Sequence, residues 1–433
     1  MAALAGAGDV TIRELSAADD LDALLDLSCR AFGPVAPADR ERWQADSEAS
    51  ISGRQFLAAF DGSRLVAAAR YFDMAQWWQG RCMPMAGVAS VMVAPEDRGR
   101  GAGGALMTAL LGLIAERGYP VSVLYPATMA IYRSLGWEIA GVQDTVAIPA
   151  RSLRSLVPPD PWLGSPEPEG AGPGGVVADG AGPGGVVADG AAAKLRRCGP
   201  EDAGRVLAAI GAAHEALRDS GPNTRDEATV RRWLGDENRF AYLAPDGFLA
   251  YRWLNGKDEI LVERAVAGSA ATTRAFWGIV ASHSSIADTV RGHLGPADPV
   301  GWLTREPDVA LARRRTWMLR VVDAAGAVAG RGFPPAAEVR AELRLTDAAC
   351  PRNDGTWTLE VSGGKGVLAR EPRPGAATHA ARLAAGARGF AALFAGTPVA
   401  TLRRAGLVSG GDPGNDAALD GAFAATAYLL DYF

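Results

Sequence analysis

ASVMVAPEDRGRGAGGALMTALLGLIAERG, from Ala89 to Gly118, is the most informative stretch of this 433-residue chain. It reads as a strand, a glycine-rich turn and a helix. Val91 and Val93 fall on one face of the strand, Pro95 ends it, and Arg98-Gly99-Arg100-Gly101-Ala102-Gly103 puts small residues where a helix begins. Leu106, Leu110, Leu113 and Ile114 then mark one helical face, and Gly118 supplies a stop. A turn of this kind leaves N–H groups free at a helix N-terminus, where they can cradle a pyrophosphate. Taken alone, it is equally an ordinary tight strand-to-helix turn. No Gly-Lys-Ser/Thr closes it, which excludes a Walker A loop, and the glycine spacing fits the dinucleotide fingerprint poorly.

Moving outward, a second strand is predicted at Pro120 to Leu124 and a short helix at Met129 to Leu135, followed by Gly136-Trp137. Upstream, strand-like segments at Gln55 to Phe60, Leu65 to Phe72 and Ala86 to Val93 alternate with helical patterns, which predicts an α/β domain. Downstream, a Pro/Gly-rich stretch carries AGPGGVVADG twice, at Ala171 to Gly180 and Ala181 to Gly190. Two ten-residue copies cannot build a solenoid, so residues 151–193 read as a linker.

After it come a helix at Glu201 to Leu217 and a meander of Phe240 to Leu243, Phe248 to Leu254 and Glu259 to Val266, turned at Asp246-Gly247 and Asn255-Gly256. A helix at Thr272 to His283 follows. A third region begins near Thr316, with strands at Ala341 to Leu345 and Trp357 to Val361 and an Ala-rich helical tail.

Composition narrows the function. The length exceeds one domain several-fold on the usual scale of about 150 residues. A net charge of -5 gives no footprint for nucleic acid. Cys29, Cys82, Cys198 and Cys350 are far apart, so neither a zinc knuckle nor a disulfide framework is expected. His214, His283, His293 and His379 show no metal-ligand spacing, and no metal is expected. The N-terminus has no cationic region before an apolar core, and Leu106 to Ala115 is too short to span a bilayer, so a cytoplasmic chain with no membrane partner is expected. There is no Gly-x-Ser-x-Gly hydrolase elbow. Arg313-Arg314-Arg315 reads as a solvated cluster or an anion contact.

Val-x-Val-x-Pro, then Arg-x-x-Gly-x-Gly, a helix, a strand and Tyr-x-x-x-Gly-Trp together resemble the GNAT family of acetyl-CoA-dependent N-acetyltransferases. The likeness narrows to the enhanced intracellular survival type. It implies an α/β (α+β) fold: a catalytic GNAT domain at 1–150, a second GNAT-like domain lacking the CoA loop at 194–312, and a sterol-carrier-protein-like domain at 313–433.

By the same resemblance, acetyl-CoA is the co-substrate. Val91, Met92 and Val93 would hold its pantetheine, and Arg98, Gly99, Arg100, Gly101, Ala102 and Gly103 its phosphates. Tyr132 would act as general acid and the α-carboxylate of Phe433 as the second catalytic group. The acceptor would be a small cationic amine of aminoglycoside type, and the assembly a homo-hexamer.

In the acceptor pocket this sequence departs from the family: Phe32 is followed by Gly33-Pro34 with no acid, Ser90 replaces an aromatic, and Trp43 keeps a pocket tryptophan. Asp431 would add attraction for an amine. Trp77 and Trp78 are open to two readings, pocket lining or core. Two alternatives stand beside the leading one. One is an acetyltransferase of protein lysines or of an amine-bearing natural product, the other a non-catalytic protein that binds CoA or an apolar ligand.

Overall fold

The structure, a computed structural model, describes residues 10–17, 19, 21–156, 194–254, 256, 258–306, 308–370 and 382–433. Most of the 151–193 linker with its duplication, Asn255 of the second turn dipeptide, and His379 lie outside the described residues. The chain divides into two compact units, one formed by Met1–Gln143, Arg218–Asp226 and Arg314–Phe433, the other by Asp144–Leu217 and Glu227–Arg313.

In the first unit, β1 (Thr11–Glu14), β2 (Phe56–Asp61), β3 (Arg64–Trp78) and β4 (Arg81–Val93) pair antiparallel in that order. β4 then runs parallel to β5 (Val121–Leu124), which pairs antiparallel with the strand Ala310–Val321. Helix α3 (Ala102–Glu116) makes the β4-to-β5 crossover and buries Leu106, Met107, Leu110, Leu111 and Ile114. On the other face lie α1 (Leu21–Phe32) and α2 (Arg40–Ser52), which follow β1, over a core of Leu24, Leu27, Phe56, Ala68 and Met92. Strands β2 and β3 are alanine-rich at their centre, and Ala58, Ala59, Ala67, Ala68 and Ala69 are all fully buried. Such small side chains let helices sit close on both faces.

The central hairpin is longer than the sequence pattern predicts: β3 extends to Trp78 and β4 starts at Arg81 instead of Ala86. Its turn is Gln79-Gly80, with φ of 49° and 76°, the doubly positive turn that suits the strand twist. The extension buries Trp78 completely, with its ring 5.0 Å from Phe394 and 6.4 Å from Trp317. Trp78 is therefore core, not pocket lining. Half-buried Trp77 donates from Nε1 to Thr224 Oγ1 at 3.1 Å.

The same unit holds a five-stranded sheet in the order Lys365–Arg370, Gly355–Ser362, Val339–Thr346, Leu383–Gly386 and Val408–Gly410. Helices Ala387–Phe394, Val399–Arg404 and Pro413–Phe423 pack with it, and its core is continuous with Met74, Trp78, Met85 and Val123 of the first sheet. At this junction Arg331 is fully buried beneath the rings of Trp78, Phe333, Phe394 and Phe423, donating to the carbonyls of Gly332, Phe394 and Phe423.

The second unit repeats the order of the first. Arg239–Ala244, Gly247–Leu254 and Glu259–Ala267 form the meander, the helix Ala270–Ala281 crosses over, and Thr289–Leu294 returns parallel to the third strand. Here the crossover helix is N-capped by Ser269, whose side chain accepts from Thr272 N, and no arginine-glycine loop precedes it. Among the described residues, no helix is long and apolar enough to cross a membrane.

Candidate active site

The site grows out of an interruption in β4. Ala89 pairs with Arg70 and Met92 with Ala68, so two residues, Ser90 and Val91, oppose the single Ala69. Ser90 takes φ of 50°, a left-handed conformation uncommon outside glycine, and the strand bulges there. On its other edge β4 pairs with β5 from Met85↔Val121 to Val88↔Leu124, where β5 ends, and this pairing does not continue beyond Val88. The backbone from Ala89 to Val93 therefore lacks a β5 partner on this edge, a gap in the pairing where an extended chain can pair. Met92 itself turns its side chain into the α1/α2 core, so only its backbone is offered to a ligand.

The loop after β4 is held from beneath. Buried Asp97 accepts from Arg64 at 2.6 and 3.0 Å and from Arg100 at 3.3 Å, and these partners, Arg64 first, hold its carboxyl below the usual range. Gly99 and Gly101 then adopt φ of 79° and 85°, and α3 begins at Ala102 with no side-chain cap. Arg98 N and Arg100 N donate to Pro95 O and Asp97 O, each at a long 3.4 Å, and Ala105 N donates to Gly101 O at 3.0 Å, which leaves the amides of Gly99 and of Gly101 to Gly104 for a ligand at the helix start. A Cβ at Gly103 would lie 3.0 Å from Val93 Cγ2, whereas around Gly99 and Gly104 there is open space. Arg98 and Arg100 are exposed at the rim. This concave nest of amides suits a pyrophosphate.

Tyr132 lies on the short helix α4 (Ala130–Ser134), buried in the α3-side core, with its ring edge-on to Trp137 at 6.4 Å. Burial pushes its phenol up to about 12, so it holds its proton at neutral pH.

The chain end is docked, not frayed. Leu429 N donates to Val142 O at 3.0 Å, Gln143 Nε2 to Leu430 O at 2.9 Å and Tyr125 OH to Asp431 O at 2.8 Å. Arg315 stands over the Tyr432 ring at 4.9 Å and donates to Gln143 Oε1, so this arginine of the Arg313–Arg315 run serves the tail. The Phe433 ring packs 5.5 Å from that of Tyr125 and rests on β4 at Gly87, level with the start of the gap.

Of the remaining pocket candidates, Phe32 is 59% exposed at the end of α1, and Trp43 packs half-buried at the margin of the α1/α2 core. Asp431 is half-buried and anchored through its backbone. Sequence reasoning missed Gly87, Arg70, Phe72, Tyr125 and Arg225. Only Gly87, a glycine inside a strand, carried a local signal of close approach. Among the described residues, no group of three His, Cys, Asp or Glu side chains could hold a metal.

Residues 11–140 and 221–321 each match an acetyltransferase (GNAT) domain, and residues 324–430 match a sterol carrier protein domain. The crystal structure of a GCN5-related N-acetyltransferase from Kribbella flavida is 40% identical, covers 99% of both chains and superposes with a TM-score of 0.85. The chain belongs to the GCN5-related N-acetyltransferases.

An uncharacterized N-acetyltransferase of Streptomyces avermitilis is 27% identical over 81% of this chain and 82% of its own. N-acetyltransferase Eis of Mycobacterium tuberculosis is 25% identical over 80% and 81%. This GCN5-related N-acetyltransferase is of the enhanced intracellular survival type, with tandem GNAT domains followed by a sterol-carrier domain. Proteins of this fold use acetyl-CoA as co-substrate and act on amines, and the gap and nest in the first domain have the chemistry such a co-substrate requires.

Proposed function

We propose that this enzyme transfers acetyl from acetyl-CoA directly to a primary amine of a small molecule, using the first GNAT domain and the docked chain end. The observation that carries this reading is the seat of Phe433 on Gly87, on the same strand that bulges at Ser90 and leads into the glycine nest.

In this reading the backbone of Val91, Met92 and Val93 pairs with pantetheine, and the amides of Gly99, Gly101, Ala102 and Gly103, with the Arg98 and Arg100 side chains at the rim, hold the phosphates. The Phe433 carboxylate takes a proton from the incoming ammonium. The freed amine attacks the thioester carbon, and a backbone N–H at the bulge meets the oxyanion. When the C–S bond breaks, the thiolate takes the Tyr132 proton, the nitrogen gives its second proton to the resulting phenolate, and CoA thiol and the N-acetylated amine leave, with the proton on the Phe433 carboxyl passing to water. A phenol pushed up to about 12 is a weak acid in water, yet the same desolvation raises the proton affinity of a thiolate leaving beside it.

We assign residues 1–150 to the catalytic domain, 194–312 to the second, degenerate one and 313–433 to the sterol-carrier domain that supplies the carboxylate. The family resemblance adds a cytoplasmic homo-hexamer and offers an aminoglycoside-like amine as one candidate acceptor among primary amines. A thiol-release assay with acetyl-CoA against aminoglycosides, polyamines, lysine peptides and amino acids tests it. CoA release that depends on an added amine is expected, and failure to bind acetyl-CoA overturns it.

A further inference from the structure

The face of β3 and β4 beside the chain end carries two arginines next to the Phe433 terminus. Arg70 sits opposite Ala89, next to the bulge, and Phe72 sits opposite Gly87, on which Phe433 rests. Tyr71 between them belongs to the α3-side core, so Arg70 and Phe72 both point to the opposite face. The guanidinium carbon of Arg70 lies 4.5 Å from the Phe72 ring centroid, and that of Arg225 lies 4.4 Å from the same ring and 5.7 Å from Phe433.

Arg70 forms no ion pair among the described residues. Its Nη1 donates to Ser50 Oγ at a long 3.4 Å, and its Nε is buried without an acceptor. Burial pushes its guanidinium down to about 10, with Asp46 opposing that shift and Arg225 adding to it. Keeping a cation half-buried beside a second one, with Asp46 acting on it only from beyond ion-pair distance, is costly unless an anion visits. A polycationic acceptor would meet like charge here.

We propose that the acceptor is a zwitterionic amine whose carboxylate is held by Arg70 and Arg225 while its amino group reaches the thioester at the Ser90 bulge. This rests on the acetyl-transfer reading above. The planar guanidinium fork matches a carboxylate. Arg70 and Phe72 are two residues apart on β3, about 7 Å, so a molecule of amino-acid size spans the distance from arginine to chain end.

The test uses the full-length protein, acetyl-CoA and matched amines: lysine against lysinamide and cadaverine, phenylalanine against phenethylamine, O-phosphoethanolamine against ethanolamine, and tobramycin. We expect the carboxylate members to be preferred in kcat/KM by about tenfold or more, the factor of one charged hydrogen bond. Arg70→Gln and, separately, Arg225→Gln should collapse that ratio toward one, with thermal midpoints confirming a folded protein. Preference for the phosphate member alone, equal or better use of the decarboxylated amines or tobramycin, or a ratio unchanged in both variants overturns the proposal. So does CoA release with none of these amines while acetyl-CoA still binds, which leaves the cofactor site standing. Loss of acetyl-CoA binding in the parent defeats the acetyl-transfer reading itself.

Discussion

The ring of Phe433 lies where a side chain on Gly87 would be: a Cβ there would stand 2.9 Å from Phe433 Cε2 and 2.6 Å from Met74 Sδ. Glycine at this strand position is required by packing, since no positive φ demands it. Gly87→Ala should displace the terminal ring and lower kcat by about tenfold or more, as overpacking by about 1–3 kcal/mol is redirected into the tail. Binding of acetyl-CoA, measured by calorimetry, should stay within about twofold, because the nest lies beyond the bulge. Full activity in Gly87→Ala would show that the seat of Phe433 is not needed for turnover.

A short C-terminal extension is a gentler probe. It keeps the aromatic ring that packs on Tyr125 and Gly87 but moves the α-carboxylate away. Turnover should fall severely while the melting midpoint is retained. Deleting Phe433 alone should cost activity and also some stability, because the ring is partly buried against the core. A tagged protein with parental kcat would return the base role to an internal carboxylate or water.

Arg331 couples the tail to the rest of the first unit. It is fully buried, and its guanidinium is pushed down to about 9 by desolvation. Its acceptors are the carbonyls of Phe394 and Phe423, at the ends of two helices, and of its neighbour Gly332. Arg331→Met fills similar volume but orphans those carbonyls, so a loss of about 3–5 kcal/mol in unfolding free energy is expected. Denaturant melts check this, and a loss below 1 kcal/mol, by the same scale of about 1–3 kcal/mol per orphaned group, would mean that the four rings alone hold the junction.

The strand, glycine turn and helix around Gly101 were legible in the sequence because their signals are local: a strand stop at Pro95, glycines at Gly99 and Gly101 and an apolar helical face all lie within thirty residues. The short helix that carries Tyr132 was legible for the same reason. The acceptor face was not, because Arg70 and Phe72 acquire meaning only from Gly87, Arg225 and Phe433, which reach them from distant parts of the chain. Periodicity also hid the length of β3, whose final turns around Trp77 and Trp78 alternate core and polar contacts. Nor does it show that Arg314–Phe433 and Arg218–Asp226 belong with the first unit, since strand partners are not written in one strand's pattern.

The nest makes its own prediction. Gly101 stands at φ of 85° directly before α3, so Gly101→Val strains the turn wherever its side chain points. Gly103→Val also drives a side chain against Val93 Cγ2, 3.0 Å from the Cβ position. Both should weaken acetyl-CoA binding by about tenfold or more, on a strain of about 1–3 kcal/mol, and raise KM for acetyl-CoA more than KM for the amine. Unaltered affinity in both variants would relocate the pyrophosphate.

Tyr132 allows the sharpest test because Tyr132→Phe keeps the ring against Trp137 and the α3 core while removing one proton. The variant should bind acetyl-CoA as the parent does and lose about 10²–10⁴-fold in kcat, the usual worth of a positioned acid. The pH profile adds a check of sign. The phenol is pushed up to about 12 by burial, so it is protonated across the neutral and mildly alkaline range and cannot cause a falling limb there. Parental kcat/KM should therefore rise with pH as the base and acceptor amine lose protons, then hold level to about pH 10, where unperturbed tyrosine would already be ionising. Stability follows the same group: its folded value is above the unfolded one, so the contribution is intact below about pH 10 and lost between about 10 and 12. Tyr132→Phe should make that alkaline loss shallower. A parental rate that falls through pH 8 to 9 and tracks the ionisation of a phenol, or a Tyr132→Phe variant with undiminished kcat, would remove Tyr132 from the proton path.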